Sequence, residues 1–580
     1  MAYKMVDDLQ DFLCALEKMY CERYVSFSEL EKMRDLMPPI PKGREAKKLA
    51  KKIRFYLNNR EKLNRRFIAG EQKKVFEVEG NNLDAEQIAA VVACDDAELI
   101  LASAGSGKSA SLMGKVNYLL RELGMPAEEI LVIAFTRKVV KELNERMGGS
   151  GVEICTFHSF GNKIIRNLNV GVELKLVPDG FLEQVAEKFL KNVDVKWFGS
   201  KDSFRKLLVS TLQLQKNEQI SLKEFGERIS EMKDEKERER AEKFFEIYAK
   251  FVRIYGKILR DNRLYDFSDM LSWATRIIEK MPREELKYKY VLVDEVQDLS
   301  LSKSLLLKAI LDNCCNAKLF AVGDDWQSIY RFAGSNLEVL KDFEKTFGRF
   351  TYRGVIRRTY RFGQPTAWVS EYFVRRNPEQ SRKKVLTLKS KKTPIEICFS
   401  QDFKNGIPID YEAVDLALQK MYEQMGEGIF DKNIQVISRY NKDIYRLVDA
   451  KKWKFGNARI VAEKEDGVML KWMIEKVRKE VKLAFCSMHK SKGITRDFVF
   501  VINMNEGEKG MPSTRADEPI LATMLARPDK FPLAEERRLF YVAMTRAKEK
   551  TFVVTERKKV SRFVKEIARN LGGEVVEMME

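Results

Sequence analysis

The fold of this chain is restricted most by a short glycine-rich loop between an apolar segment and a helical one. Residues 97–103, AELILAS, are apolar and end in small residues, as a buried parallel strand does. Residues 109–123 have the spacing of a helix. The stretch ASAGSGKS, residues 102–109, joins the two. A strand, a loop and a helix in this order predict an α/β domain built on a parallel sheet.

The loop has the composition of a phosphate-binding loop, although Ala102 stands where a glycine is usual. Its glycines would let main-chain N–H groups approach phosphate oxygens, and the helix that follows adds the positive end of its dipole. Lys108 would reach the β- and γ-phosphates of a nucleotide, and the Ser109 hydroxyl would bind Mg²⁺. The alternative is a glycine-rich turn that contains Lys-Ser by chance. The candidate phosphate-binding residues are Ala104, Gly105, Ser106, Gly107, Lys108 and Ser109.

A second apolar segment ends in two carboxylates. It reads KYVLVDEVQD and covers residues 289–298. Ligands of α/β sheets bind at the carboxyl ends of the strands, where these acids would lie. Asp294 could hold Mg²⁺, and Glu295 could position and deprotonate an attacking water. The alternative is an acidic pair that faces solvent.

Further apolar segments indicate two sheets. Residues 128–138 and 317–335 each run from an apolar strand into polar and aromatic residues. A later set of strands is indicated at 394–400, 434–438, 497–502 and 551–555. Since only the first set contains a phosphate-binding loop, we expect a nucleotide to be held between two domains.

The net charge of +19 is distributed unevenly over the 580 residues. Residues 41–80 contain thirteen Lys and Arg against five Asp and Glu, and residues 375–392 contain eight against one. Such clusters suit contacts with nucleic-acid phosphates, although lysine-rich surfaces also keep proteins soluble. No apolar run approaches the roughly 18 residues of a membrane span. The eight cysteines include no CxxC pair, and we expect a cytoplasmic protein with reduced thiols and no membrane partner.

These segments form part of an ordered series of motifs. The chain resembles the UvrD/Rep/PcrA group of superfamily one helicases over about residues 80–580. It looks most like the helicase IV branch, through GDDWQSIYRF and an added N-terminal region. The series consists of LDAEQIAAV (83–91), FTRK (135–138), TFHSFG (156–161), VDEVQD (293–298), TYRF (359–362), MHKSKG (488–493) and EERRLFYVAMTRAKE (535–549).

The resemblance implies roles for residues around the nucleotide. Gln87 would contact adenine and Tyr360 would stack on it. Gln327 would sense the γ-phosphate, Arg361 would touch it and Arg546 would act as the arginine finger. Because the arginines belong to the second sheet and the phosphate loop to the first, ATP would draw the two domains together and hydrolysis would release them.

The resemblance also implies a track for single-stranded DNA at the seam between the domains. Aromatic side chains on such a track can stack on bases of any identity. The alternative for Phe135 is a core aromatic. The candidate DNA-binding residues are Phe135, Thr136, Thr156, His158, Tyr330, Phe332 and His489.

The function implied is that of an ATP- and Mg²⁺-dependent DNA translocase and helicase. It would move 3′ to 5′ on single-stranded DNA and act at junctions between single and double strands. One alternative is a DNA-stimulated ATPase that remodels or senses DNA without processive unwinding. A second is an ATPase subunit that serves a nuclease, repair or phage-defence partner.

The resemblance divides the chain into two RecA-like domains, called 1A and 2A in this family, with additions. Residues 81–171 and 259–345 would form 1A, residues 172–258 a helical 1B insertion, and residues 346–580 domain 2A. Residues 1–80 would be helical, with a capping box at Ser28 and Glu31 and one basic helix from Gly43 to Ile68. That basic helix could bind DNA, dock a partner or be solvated.

Relatives carry a large 2B domain between the motifs that contain Arg361 and His489. Here these residues are only 128 positions apart (489 − 361). The residues up to Asn441 resemble domain 2A, which leaves 47 residues before His489 (489 − 441 − 1). A helix and a strand of 2A take part of them, so about 25 to 30 residues remain, too few to bury an independent core. We therefore expect the 2B domain to be reduced or absent, with its remnant near residues 452–480.

Overall fold

The computed structural model describes residues 2–167, 175–314, 317–390, 392–400, 408–464, 467–525, 529–571 and 577–578. Within them two large β-sheets follow one another along the chain, and helices cover both. The predicted α/β class, with a helical N-terminal region, is confirmed.

The N-terminal region consists of four helices and a short hairpin. They are α1 (Ala2–Glu22), α2 (Phe27–Asp35), α3 (Arg44–Asn58), α4 (Arg60–Glu71), β1 (Glu77–Val78) and β2 (Asn81–Asn82). The prediction of one basic helix over residues 43–68 is wrong, because the helix is interrupted at Asn59, between α3 and α4.

The predicted capping box of this region is also wrong by two residues. The residues that close the N-terminus of α2 are Ser26 and Glu29. Ser28 is not available for capping, because its backbone N–H and its hydroxyl donate to the carboxylate of Asp96, at 3.0 and 2.5 Å. The tertiary contact with Asp96 therefore shifts the start of the helix.

The first domain opens with a strand–helix series. Its elements are α5 (Ala85–Val92), β3 (Ala97–Ala102), α6 (Lys108–Asn117), β4 (Ile130–Ala134), α7 (Arg137–Arg146), β5 (Glu153–Thr156) and α8 (Phe157–Asn167). A helical insertion follows. Its elements are β6 (Lys175–Leu176), α9 (Phe181–Leu190), α10 (Lys201–Asn217), α11 (Leu222–Ser230), α12 (Glu235–Asp261) and β7 (Leu264–Tyr265).

The insertion has a core in which Phe204, Phe244 and Tyr248 are fully buried. Ile520, Met524 and Leu525 of the second domain are part of the same cluster. Its 27-residue helix α12 is rich in charged residues. No helix in the described part of the chain is long and apolar enough to cross a membrane.

The chain then returns to the first domain and completes its sheet. The elements are α13 (Phe267–Lys280), β8 (Tyr290–Val293), α14 (Leu301–Asn313), β9 (Lys318–Gly323), α15 (Glu338–Lys341), α16 (Phe343–Phe347) and β10 (Thr351–Ile356). The six strands are all parallel, in the order β10-β3-β9-β8-β4-β5.

The boundary predicted after residue 345 is wrong, because β10 pairs with β3 from Thr351 to Ile356 and so belongs to the first sheet. Both faces of this sheet are covered by helices, which explains why β4 and β8 are apolar at every position.

The second domain contains the remaining elements. They are β11 (Arg358–Thr359), α17 (Thr366–Arg375), β12 (Leu386–Thr387), β13 (Ile395–Ser400), α18 (Tyr411–Met425), β14 (Ile434–Ser438), β15 (Lys454–Phe455), β16 (Ala458–Lys464), β17 (Gly467–Ile474), β18 (Lys479–Ser487), β19 (Arg496–Val501), α19 (Pro519–Ala522), α20 (Ala534–Met544), β20 (Ala547–Glu556), α21 (Arg562–Leu571) and β21 (Glu577–Met578).

The sheet of the second domain has a parallel part and an antiparallel part. The strand order is β15-β16-β17-β18-β14-β19-β20-β13-β21, and pairing is parallel from β18 to β21. Strands β15 to β18 form an antiparallel meander at the other edge. Leu470 and Trp472 of β17 are buried in the same cluster as Val436 of β14. The described residues between 454 and 487 therefore extend the second sheet and share its core.

Candidate active site and nucleic-acid interface

The phosphate-binding loop lies at the carboxyl end of β3 and leads into α6, which begins at Lys108. Gly105 and Gly107 have φ of +73° and +79°, a region that favours glycine. A Cβ atom on Gly105 would lie 2.6 Å from the Cβ of Arg361, and one on Gly107 would lie 2.6 Å from Nε2 of Gln87. Both positions therefore need glycine for backbone conformation and for space.

Lys108 and the two acids after β8 meet in front of this loop. Lys108 Nζ lies 2.7 Å from Glu295 Oε1. Burial disfavours the charge of Lys108, but Glu295 and Asp294 outweigh this and raise its pKa. Burial likewise opposes the charge of Glu295, yet Lys108 and Lys492 lower its pKa, whereas burial and the neighbouring Glu295 raise the pKa of Asp294. The two carboxyls thus differ in acidity.

Glu295 adopts a left-handed backbone conformation, with φ of +50°. Such a conformation is costly for a side chain other than glycine and is concentrated at functional sites. It turns the chain sharply after β8, and its side chain accepts hydrogen bonds from Lys108 and from Gln297. The turn therefore directs Glu295 toward the phosphate loop.

The residues of this cleft fit a magnesium nucleotide. The hydroxyl of Ser109 and the carboxylate of Asp294 are oxygen ligands of the kind Mg²⁺ prefers. In the loop, the buried hydroxyls of Ser103 and Ser106 have no hydrogen-bond partner and could serve phosphate oxygens. The cradle, the lysine and the acids are the set that the sequence predicted.

Gln327 of the first domain contacts the second domain at the cleft. Its Nε2 donates to Asp324 Oδ2 at 2.6 Å, and its Oε1 accepts from Nη2 of Arg546 at 3.2 Å. Arg361 Nη1 donates to the carbonyl of Thr545 at 2.9 Å. The structure therefore brings together the three residues for which the resemblance implied contact with the γ-phosphate.

Of the two arginines of this group, Arg546 is buried and Arg361 is partly buried. Burial, helped by the proximity of Arg546, lowers the pKa of Arg361 to about 9, and burial lowers that of Arg546 to about 10. Neither forms an ion pair with a carboxylate in the part of the chain that the structure describes. A phosphate in the cleft would supply the missing negative charge.

Gln87 and Tyr360 both contact the loop and are joined through Asp84. Gln87 Nε2 donates to the Ser106 carbonyl at 3.1 Å, and its Oε1 accepts from the Asp84 N–H at 2.8 Å. The Tyr360 hydroxyl donates to Asp84 Oδ2 at 2.8 Å, and its ring is 52% exposed. An exposed ring beside the loop leaves a face on which a base could stack.

Four of the predicted DNA-binding residues form an aromatic cluster: Phe135, Tyr330, Phe332 and His489. The rings of Phe135 and Tyr330 are nearly parallel with centroids 6.4 Å apart, and Phe332 meets His489 edge-on at 5.2 Å. Phe332 is 56% exposed, and Phe135 is half-buried against Tyr330 rather than part of a hydrophobic core. The cluster contains residues of both domains.

The other predicted DNA-binding residues have local roles in the structure. The hydroxyls of Thr136 and Thr156 accept backbone N–H groups at the starts of α7 and α8, at 3.2 and 3.0 Å. The ring of His158 lies 6.0 Å from that of Phe267. Burial, and then the cations Lys303 and Arg137, lower the pKa of His158 to about 4, so that it is neutral at pH 7.

Sequence reasoning missed a buried lysine of the second domain. Lys383 Nζ donates to the Ala102 carbonyl at 3.1 Å and to Asp325 Oδ1 at 3.0 Å, and it also contacts Asp324. It lies 4.7 Å from the ring centroid of Trp326. The sequence placed Lys383 in the basic segment 375–392, in which no spacing distinguishes it from exposed lysines. Lys383 therefore joins the start of the phosphate loop to the two acids that follow β9.

Two further cross-domain contacts were missed. Lys492 Nζ contacts the carboxylate of Asp298 and donates to the carbonyl of Gln327 at 3.0 Å. The backbone N–H of Ala104 donates to the Tyr541 hydroxyl at 3.4 Å. Lys492 and Tyr541 lie within motifs that the sequence identified, so motif membership was the signal that could have indicated them.

Two conserved-domain families match the parts of the chain that carry this site. Residues 83–348 match the UvrD/REP helicase N-terminal domain, and residues 463–558 match the UvrD-like helicase C-terminal domain. The chain belongs to the UvrD/Rep helicase family. The resemblance stated from the motifs, and with it the prediction of a helicase enzyme, is confirmed.

Similar proteins support this assignment over most of the chain. DNA helicase IV of Escherichia coli (strain K12) is 28% identical over 529 residues, which are 85% of this chain and 71% of that protein. A probable DNA helicase of Mycoplasma pneumoniae is 26% identical over 514 residues, or 82% and 83% of the two chains. ATP-dependent DNA helicase PcrA of Bacillus subtilis is 28% identical over 283 residues, 46% of this chain and 36% of that protein.

Proposed function

We propose that this helicase uses ATP and Mg²⁺ to move 3′ to 5′ along single-stranded DNA and to separate strands at junctions with duplex. The names of its relatives, ATP-dependent DNA helicase among them, support ATP and DNA as the ligands. A cytoplasmic location remains a prediction from the sequence.

In the hydrolytic step, Glu295 orients the attacking water and accepts its proton, since its carboxylate stays ionised. Lys108, Arg361 and Arg546 stabilise the charge that develops on the γ-phosphate. Ser109 and Asp294 would hold Mg²⁺, which supplies further neutralisation of phosphate charge when bound. The bond to the γ-phosphate breaks in a cleft whose two walls belong to different domains.

One observation carries the coupling of hydrolysis to movement. The nine-residue segment from Asp324 to Phe332 begins in the nucleotide cleft and ends in the aromatic cluster. Gln327 within it binds Arg546 and Lys492 of the second domain, and three residues later Tyr330 stacks near Phe135. A change at the γ-phosphate would therefore shift the rings on which bases stack.

The same contacts explain how the domains would close and open. Arg361 and Arg546 of the second domain form no ion pair among the residues that the structure describes, so a nucleotide between the domains adds attraction that is lost when phosphate leaves. Each cycle of closing and opening would advance the strand past the aromatic cluster. Stacking suits this task because it does not depend on base identity.

In this proposal the motor consists of domains 1A, 1B and 2A, without a separate 2B domain. The helical insertion α9–α12 would be 1B. The support for the missing 2B domain is that β15, β16 and β17 join the sheet of the second domain and bury Leu470 and Trp472 in its core. Any inhibition by a swivelling 2B domain would then be absent.

Displacement of streptavidin from biotinylated single strands tests the proposal. A 3′-to-5′ motor removes streptavidin from a 5′-terminal biotin much faster than from a 3′-terminal one, and only with ATP. Glu295→Gln, which keeps the shape of the site but lacks the base, should not displace streptavidin from either end. Equal rates at the two ends, or faster removal from the 3′ end, would contradict the direction. Unwinding of a 3′-tailed duplex by the lone chain separates a helicase from an ATPase that only remodels or serves a partner.

A further inference from the structure

Helix α3 of the N-terminal region presents one strongly basic face. At about 100° per residue, its cations fall within an arc of about 160° on one side of the helix. The residues on the opposite side, Ala46, Leu49, Ala50, Ile53 and Leu57, are buried against the rest of the region. The cations of this basic face, all exposed, are Arg44, Lys47, Lys48, Lys51, Lys52 and Arg54.

The cations of the basic face have no acidic partners in the part of the chain that the structure describes. None of the six forms an ion pair with a carboxylate among the residues that the structure describes, and Glu45 is the single acid of the helix. Lysines that serve only for solubility usually alternate with acids, as Lys and Glu do along α12. Six like charges on one face repel each other, and an anion bound there would relieve the repulsion.

A groove of about 750 Å³ begins where α3 ends. It is lined by further basic residues, among them Arg34, Lys62 and Arg66, and by the rings of Phe27 and Phe350, which stack at 5.0 Å. The groove also contains the acid Glu61, and none of the six cations of the basic face lines it, so the groove is a separate feature of the same region.

The N-terminal region is held firmly on the first domain. Arg60 of α4 forms a buried ion pair with Asp95 at 2.8 Å, and the Tyr24 hydroxyl donates to the same carboxylate at 3.0 Å. Asp95 precedes β3, whereas the phosphate loop follows β3. The region therefore contacts the amino-terminal end of this strand, and the nucleotide site lies at its carboxyl end. The basic face is therefore separate from the aromatic cluster and moves with the first domain.

The chemistry of the face favours duplex over single strands. Proteins that bind single strands combine cations with several stacking rings, and the exposed side of α3 carries one ring, Phe55. The cations extend from residue 44 to residue 54, or about 15 Å along the helix at 1.5 Å per residue. Duplex DNA carries about nine phosphates over that length, one for every 1.7 Å of axis.

We propose that the basic face of α3 binds the phosphate backbone of duplex DNA, as a second DNA site that anchors the first domain while the motor acts on a single strand. The choice of DNA rather than another polyanion rests on the proposed function. The site would supply the duplex contact that a chain without a 2B domain otherwise lacks.

The test compares two triple variants of the full chain. Lys48→Glu, Lys51→Glu and Lys52→Glu reverse three charges of the basic face. The control, Lys280→Glu, Arg283→Glu and Lys287→Glu, reverses three exposed charges that have Glu279, Glu284 and Glu285 as neighbours in the sequence. Binding to a blunt 20-base-pair duplex is measured by anisotropy across a series of salt concentrations, and ATPase activity is measured with single-stranded DNA. Equal melting temperatures of both variants and the wild type establish that the fold is intact.

The basic-face variant should bind duplex at least about tenfold more weakly near 0.1 M salt. The slope of log affinity against log salt concentration should become less steep by about 2.7, or 0.9 for each of three lost phosphate contacts. Its ATPase activity with single-stranded DNA should equal that of the control. Unchanged duplex affinity, an equal loss in the control, or equally tight binding of polyglutamate to the wild-type face would overturn the proposal. Loss of duplex binding in a chain that shows no DNA-stimulated ATPase would support this site while contradicting the proposed function.

Discussion

Replacement of Lys383 by methionine is expected to damage both the stability of the protein and its ATP hydrolysis. The side chain of Lys383 is 1% exposed, and its ammonium group lies between the carboxylates of Asp324 and Asp325. Methionine fills a similar volume but carries no charge, so two carboxylates would remain close together in a buried site. Removing one partner of a buried ion pair typically costs about 3–5 kcal/mol.

That cost should be visible in thermal unfolding. For a domain of 150–250 residues, 1 kcal/mol corresponds to about 2–4 °C, so the melting temperature should fall by about 6–20 °C. Turnover should fall as well, because Lys383 also binds the carbonyl of Ala102 at the start of the phosphate loop and Asp324 is the partner of Gln327. The matched control is Lys384→Met at the next residue, which is exposed and should behave as the wild type.

The pH dependence of the loss separates a charge effect from a packing defect. Burial alone would raise the pKa of Asp325, but Lys383 and Ser381 hold it below its usual value. A carboxyl with a depressed folded-state pKa contributes stability above its unfolded pKa, and that contribution is lost as the pH falls through the folded value. In Lys383→Met the carboxyl of Asp325 can be protonated at a higher pH. The difference in melting temperature between the variant and the wild type should therefore become smaller from pH 7 toward pH 4. A melting temperature equal to that of Lys384→Met, or a gap that is constant with pH, would refute the reasoning.

Three further predictions concern the cleft and the DNA track. Lys108→Ala should abolish ATP hydrolysis because no other cation replaces it at the loop, whereas Glu295→Gln should still bind ATP and lose turnover. A coupled ATPase assay and a nucleotide-binding assay test this. Normal hydrolysis in either variant would argue against the site. Tyr330→Ala should weaken binding to single-stranded DNA by about 1–3 kcal/mol, the worth of one stacked base, as measured by anisotropy; an unchanged affinity would remove Tyr330 from the track. Binding of single strands should weaken with salt with a slope of about −0.7 per phosphate contact and show little sequence preference, so salt-independent binding would contradict backbone tracking.

The local chemistry of the cleft could be predicted from the sequence alone. A strand, a glycine loop and a helix specify a phosphate cradle, since the glycines are needed for positive φ and the strand order places the loop at the carboxyl edge of the sheet. The same reasoning placed Asp294 and Glu295 beside it. These features depend on residues that are close in sequence, and their spacing carries the information.

Contacts between distant segments were decided by the tertiary structure. Nothing in the segment 375–392 distinguishes Lys383 from its exposed neighbours, because its burial depends on Asp324 and Asp325, some sixty residues away. The break between α3 and α4 and the shifted cap at Ser26 depend in the same way on Asp95 and Asp96. The pairing of β10 with β3 could not be predicted from the sequence, because the two strands are far apart along the chain. A side chain's local sequence sets what it can bind, but the free energy of burying a charge depends on which distant partner the fold brings to it.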